Sequence, residues 1–153
     1  MEPKLIPNPQ NNHYMLAEDL RVVLEKVTLW IPSGFHYDGA SIPPVAWPIT
    51  YTPFAPDVMR ASLVHDWLYH AHEDGPAESA LREAADEILF QLLLADSVST
   101  GKAKLMWMAV RSFGGVAWHN DKEDRAVVRS VYQRHQNDAD ISKFNFPSWA
   151  SEP

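Results

Sequence analysis

The spacing of apolar residues changes along the chain, from short dense runs near the N-terminus to a helical repeat after residue 56. Two runs, 20–24 and 27–31, are rich in β-branched and bulky side chains and are separated by a polar break. This pattern predicts two short strands of a small antiparallel sheet. Most of the twelve prolines also lie in this first third, and because proline fixes φ and removes a backbone donor, long helices are not expected there.

Helical spacing begins at Pro56-Asp57. Proline suits the first helical position, and an acidic residue beside it complements the helix dipole. A second helix is predicted from Ala77 to Ala95, and the short connection around Gly75-Pro76 makes the two helices antiparallel neighbours. This helix pair is the expected centre of the fold.

Further helices are predicted towards the C-terminus. A third runs from Lys102 to Phe113 and is ended by Gly114-Gly115, and a fourth follows Asn120, which can act as a helix cap. Residues 138–153 contain scattered aromatic side chains in polar surroundings and are expected to form a C-terminal arm. The whole pattern predicts one α+β domain over residues 1–153, with a β and loop region packed on the helix pair.

Composition narrows the classes of function. The chain has 153 residues and carries 13 Lys+Arg against 20 Asp+Glu, a net charge of −7. This acidic balance argues against nucleic acid as a partner, because phosphate binding needs a positive surface. The chain has no cysteine, which excludes thiolate metal sites and cysteine nucleophiles. No signal peptide or transmembrane segment is expected, so the predicted location is the cytoplasm of the producing cell.

The densest group of chemically active residues is the segment from His65 to Tyr69, together with Asp86 on the next predicted helix. His65 and Tyr69 are four residues apart and share a helix face, which Asp86 on an antiparallel helix can meet. A carboxylate that fixes the tautomer of an imidazole, steadied by a tyrosine hydroxyl, makes a general base. Asp66 lies to another side, where it can bind a hard cation. The alternative is a buried polar network that only fixes the helix pairing.

A second group, with Asp38 and Ser41, lies in the turn-rich segment 37–44. One interpretation places these two residues in a pocket beside His65, with Asp38 and loop carbonyls as cation ligands. The other is a rigid loop that leads from the sheet into the first helix, because Asp, Ser and Gly are common turn residues. Ser41 is not expected to be a nucleophile, since it lacks the strand–turn–helix setting of a nucleophile elbow.

Three motifs, taken in order, resemble a family of unknown function that tailed bacteriophages and prophages encode. They are Asp38-Gly39-Ala40-Ser41-Ile42-Pro43, then His65-Asp66-Trp67-Leu68-Tyr69, then Ala85-Asp86 followed by Phe90. The resemblance implies a phage or prophage origin and no particular activity.

A more remote similarity is to the paired-helix core of phospholipases A2, including the type carried by viral capsids. His65-Asp66-x-x-Tyr69 is similar to the H-D-x-x-Y helix of that family, and Asp86 is similar to the aspartate of its antiparallel helix. The similarity implies that His65 activates water, that Asp66 binds calcium, and that Asp86, bonded to Tyr69, orients His65. The chain departs from the family because it has no cysteine and no glycine-rich calcium loop before the histidine, so only Gly34, Gly39 and the loop carbonyls around Asp38 could replace that loop.

Two functions from different classes follow, and the sequence slightly favours the first. The first is a non-enzymatic phage protein, a virion or tail-assembly component that binds other phage structural proteins and in which the cluster around His65 is structural. The second is a calcium-assisted hydrolase of ester bonds, with a lipid as its substrate, that acts in lysis or in penetration of the host. A third, binding of a host protein against host defence, ranks behind them. The protein is expected in the host bacterial cytoplasm and, under the first function, in the virion.

Overall fold

The computed structural model describes residues 3–7, 14–23, 28–37, 55–71 and 78–120. Its strands are β1 (Leu5–Pro7), β2 (Tyr14–Leu16), β3 (Leu20–Val23), β4 (Thr28–Ile31) and β5 (His36–Tyr37). Its helices are α1 (Pro56–Ala71), α2 (Glu78–Ala95) and α3 (Thr100–Asn120). The predicted α+β class, with a small strand region and a packed helix pair, is confirmed.

The strands form two small antiparallel sheets. One has the order β1-β2-β5 and the other pairs β3 with β4, in a register that sets Leu20 opposite Ile31. Burial alternates along β3, so Leu20 and Val22 face the core while Val23 is exposed, as the two-residue period of a strand requires. The predicted runs therefore became β3 and β4. The three-residue strands β1 and β2 were not predicted, because such short segments carry no readable period.

The helix pair is antiparallel, and local backbone chemistry sets its ends. The N–H groups of Val58 and Met59 both donate to the carbonyl of Ala55, which opens α1 at Pro56 as expected. After α2, Ser97 adopts a left-handed φ of 65°. Its N–H and that of the next residue bond back into the last turn, an arrangement that closes a helix and satisfies its free carbonyls. The chain can then turn directly into α3.

Glycine does not end α3, so the predicted stop after Phe113 is wrong. The helix continues through Gly114 and Gly115 to Asn120. The physical reason is packing, since a Cβ atom at Gly114 would lie 2.7 Å from the Tyr69 hydroxyl oxygen. Glycine lowers the helix propensity at this position, but because it has no Cβ atom it allows the Tyr69 ring to approach the backbone of α3. The predicted fourth helix and C-terminal arm lie outside the described residues.

One hydrophobic core joins the strands to the three described helices, with members such as Leu16, Ile31, Val64, Leu89 and Met106. The strand region meets α1 through an edge-to-face contact between Phe35 and Trp67, whose ring centroids are 5.2 Å apart. Among the described residues, no helix combines the length and the apolar character needed to cross a membrane.

Replacing Gly114 by alanine should destabilise the protein, because Tyr69 is buried and cannot move away from the new methyl group. We expect the free energy of unfolding to fall by about 1–3 kcal/mol, the usual cost of overpacking. Gly115→Ala is the matched control, since its Cβ would meet its nearest neighbour, Arg82, at an ordinary 3.6 Å. That variant should be as stable as wild type or more stable by up to about 1 kcal/mol. Urea unfolding measures the stability of both variants, and a Gly114→Ala variant as stable as Gly115→Ala would contradict the prediction.

Candidate functional site

The candidate site lies where one face of α1 meets α2 and α3. Ser62, His65 and Tyr69 share this face of α1 because they are spaced three and four residues apart. Asp86, in the middle of α2, faces them, and its side chain has no exposed surface. The antiparallel pairing of α1 and α2 brings these polar groups together inside an otherwise apolar contact.

Asp86 accepts three hydrogen bonds from residues in the described part of the chain. His65 Nε2 lies 2.7 Å from Asp86 Oδ1, and the Tyr69 hydroxyl donates to the same oxygen at 2.6 Å. From α3, Arg111 Nη1 donates to Oδ2 at 2.8 Å. The carboxylate therefore connects all three described helices, and a buried charge is tolerated when it is paired and hydrogen-bonded in this way.

The contact with Asp86 fixes the form of the histidine. An ionised carboxylate can only accept hydrogen bonds, so Nε2 of His65 carries the hydrogen and donates it. In the neutral ring Nδ1 is then the basic nitrogen. Among the described residues, Nδ1 has no hydrogen-bond partner. The arrangement of His65, Asp86 and Tyr69 predicted from helix geometry is therefore present in the structure.

The surroundings of Asp86 keep it ionised. Burial alone would raise the pKa of the carboxyl group, but the hydrogen bond and charge of His65, with the hydrogen bonds from Tyr69 and Arg111, outweigh burial and hold the pKa below its usual value. The negative charge that orients His65 therefore persists at neutral pH.

Tyr69 is held on several sides. Its ring lies 4.1 Å from that of His65 and 4.8 Å from that of Trp118, measured between centroids. Burial, followed by the hydrogen bond to Asp86 and its charge, raises the pKa of Tyr69 well above its usual value, although the nearby Arg82 opposes this. The hydroxyl therefore stays protonated and serves as a donor to Asp86.

Arg82 links Tyr69 to α3. Its Nε donates to the Tyr69 hydroxyl at 3.4 Å, and its Nη2 donates to the carbonyls of Val110 and Arg111 at 3.0 and 2.9 Å. Arg82 and Arg111 were not predicted from the sequence as residues of the site. The one sequence signal was that a buried carboxylate needs a cation, but helix spacing alone does not say which arginine supplies it.

The residues predicted to bind a metal ion were Asp66 and Asp38. Asp66 is on α1, and its carboxylate lies 3.8 Å from Nδ1 of His70. Asp38 and Ser41 lie outside the described residues. Within the described part of the chain, no group of three or more His, Cys, Asp or Glu side chains is arranged to hold a metal ion.

The chain belongs to the family described as Protein of unknown function (DUF1353), whose sequence profile matches residues 14–110. It is also similar to two proteins of Sinorhizobium fredii (strain NBRC 101917 / NGR234). The uncharacterized protein y4iH is 34% identical over 77 residues, which are 50% of this chain and 30% of that protein. The uncharacterized protein y4jT is 34% identical over 86 residues, which are 55% of this chain and 23% of that protein.

The matched segments therefore span less than a third of either relative. No solved structure matches the chain. The site residues on α1 and α2, from Ser62 to Asp86, fall inside the family match, and Arg111 on α3 lies one residue beyond it.

Replacing Asp86 by asparagine should strongly destabilise the protein, because a neutral amide cannot compensate the positive charge of Arg111. The amide NH₂ group would also face side chains that are themselves hydrogen-bond donors. We expect a loss of about 3–5 kcal/mol at neutral pH, as for other broken buried ion pairs. Asp96→Asn is the matched control. Asp96 accepts two hydrogen bonds from Arg60 but is partly exposed, so its replacement should cost roughly 1 kcal/mol.

The same comparison has an expected pH dependence. The pKa of Asp86 is lower in the folded than in the unfolded protein, so its contribution is present above about pH 4, the pKa of an unfolded aspartate, and is lost as the pH falls through the folded value. Chemical unfolding from pH 7 down to pH 3 should therefore bring wild type and Asp86→Asn closer together. A difference in the free energy of unfolding that stays constant with pH would contradict a lowered pKa of Asp86 in the folded protein.

Proposed function

We propose that this protein is a hydrolase of ester bonds in which His65 is the general base that activates water. The observation that carries the proposal is the shared oxygen of Asp86, which accepts hydrogen bonds from His65 Nε2 at 2.7 Å and from the Tyr69 hydroxyl at 2.6 Å. A buried carboxylate that orients an imidazole fixes its tautomer and stabilises the imidazolium formed on proton transfer, which suits His65 to act as a general base.

The proposed reaction uses the free nitrogen of His65. Nδ1 takes a proton from water while the water oxygen bonds to the carbonyl carbon of the ester. The bond from that carbon to the alcohol oxygen then breaks, and His65 returns the proton to the departing alkoxide. Proton transfer by a positioned side chain contributes roughly 10²–10⁴-fold to such rates.

The other residues of the cluster support His65 in this scheme. Asp86 stabilises the imidazolium that forms between the two proton transfers. Tyr69 and Arg111 hold the carboxylate in place and keep it ionised. These three residues act through His65 and are therefore positioning residues.

A phospholipid is the substrate to test first, because of the remote similarity of the helix pair to phospholipases A2. The same similarity implies that Asp66 binds calcium. Calcium takes six to eight oxygen ligands, and of the two candidates Asp66 and Asp38 only Asp66 lies in the described part of the chain. The described residues therefore do not make a calcium site by themselves, and no step above depends on the ion.

An observation on α3 favours a second candidate, a component of a tailed-phage or prophage particle that binds other structural proteins. Leu105, Met108 and Val116 lie on the outer face of this helix and are 42%, 49% and 68% exposed, and Phe113 beside them is 65% exposed. Apolar side chains grouped in this way are typical of interaction sites. Under this candidate Asp86 and its donors only fix the helices, and the protein is found in the host cytoplasm and in the virion.

The hydrolase proposal predicts that the protein releases fatty acid from phospholipid in mixed micelles and that His65→Gln abolishes the release. Glutamine keeps a polar side chain but cannot accept and return the proton. The assay is run with millimolar calcium and with a chelator, so that a calcium requirement is measured separately. His119→Gln, an exposed position on α3, is the matched control and should keep wild-type turnover.

Equal turnover in wild type and His65→Gln would refute the proposal. Absence of turnover in the wild-type protein over a panel of phospholipid and short-chain esters would also refute it. Recovery of the protein in fixed proportion from purified phage particles would then support the second candidate.

A further inference from the structure

Ser62 is a buried polar residue for which the helix packing gives no role. It is 4% exposed, and within the described part of the chain its hydroxyl oxygen is the one buried side-chain nitrogen or oxygen atom without a hydrogen-bond partner. A serine inside a helix commonly bonds to the carbonyl four residues before it, but Ser62 does not. A buried hydroxyl without a partner is destabilising, so it calls for a polar group that the described part of the chain does not provide.

The position of Ser62 relates this hydroxyl to His65. The two residues are three apart on the same face of α1, so their Cβ atoms are about 5–6 Å from each other. Tyr69, one turn on the other side of His65, reaches the same oxygen of Asp86 as Nε2 does. The carboxylate therefore lies on the Tyr69 side of the ring, and Nδ1 is directed away from it.

We propose that Ser62 is a positioning residue whose hydroxyl holds the water molecule that His65 deprotonates. This inference rests on the proposed function and deepens it. A water molecule between the two side chains donates one hydrogen to Nδ1 and shares a second hydrogen bond with the serine oxygen. Buried waters are typically held by about three such bonds to groups that would otherwise lack partners, and the ester oxygen is available as the third.

The first test compares Ser62→Ala with wild type in the phospholipid assay. Loss of one of the groups that hold the water should lower kcat about tenfold to a hundredfold, in line with the cost of misplacing a reacting group, and should leave KM nearly unchanged. Ser62→Thr keeps a hydroxyl and should recover part of the lost kcat. Ser112→Ala, at an exposed position of α3, is the matched control.

Stability separates this role from a structural one. Because the hydroxyl bonds to no group in the described part of the chain and only to the proposed water, Ser62→Ala should unfold at about the same urea concentration as wild type. A variant that loses both kcat and stability would contradict the proposal, since the hydroxyl would then be part of the packing. Unchanged kcat in Ser62→Ala, with turnover abolished in His65→Gln, would overturn the role of Ser62 and leave the hydrolase intact.

A crystal structure of the wild-type protein gives a readout that does not depend on turnover. We expect an ordered water within hydrogen-bond distance of both Ser62 Oγ and His65 Nδ1, and its absence in Ser62→Ala crystals. If no ester is hydrolysed, the hydrolase proposal fails, and the presence or absence of this water still decides whether Ser62 holds one.

Discussion

The buried charge of Asp86 is the constraint on which the arrangement of the helices depends. A carboxylate without exposed surface is stable only when its oxygens are hydrogen-bonded and its charge is compensated. Asp86 is on α2, so the required donors come from outside its helix, from His65 and Tyr69 on α1 and from Arg111 on α3. The relative positions of the helices are thereby set at one point in the core, and movement of any one of them would remove at least one hydrogen bond from the buried carboxylate.

The same hydrogen bonds that compensate the charge also prepare the histidine for chemistry. The bond from Nε2 satisfies one lone pair of Asp86 and, in doing so, leaves Nδ1 of His65 as the basic nitrogen. Tyr69 adds a constraint of its own, because its ring must approach the α3 backbone at Gly114. Stability and the proposed activity therefore depend on the same residues, and variants at Asp86 or Tyr69 affect both. Ser62 differs, since its hydroxyl makes no hydrogen bond within the described part of the chain.

Features with a local cause were predictable from the sequence. The spacing of apolar residues located α1 and α2, and helix geometry then placed His65, Tyr69 and Asp86 together, because residues four apart share a face. Features decided by tertiary contacts were not predictable in this way. In the sequence Gly114 predicts a helix end, and only its contact with Tyr69 explains why the helix continues. Arg111 looks like an ordinary surface cation in the sequence, and only the structure shows that Asp86 is its partner. Ser62 gives no signal at all, since only the structure shows that its buried hydroxyl has no partner within the described part of the chain.

The protonation of the His65 ring tests the role of Asp86 most directly. Nitrogen-15 NMR of the imidazole, assigned by comparison with His65→Gln and recorded where the ring is neutral, distinguishes which nitrogen carries the hydrogen. The geometry at Asp86 predicts a hydrogen on Nε2 and an unprotonated Nδ1. A hydrogen on Nδ1 would contradict it, because Nε2 could not then donate to the carboxylate and Nδ1 could not act as the base.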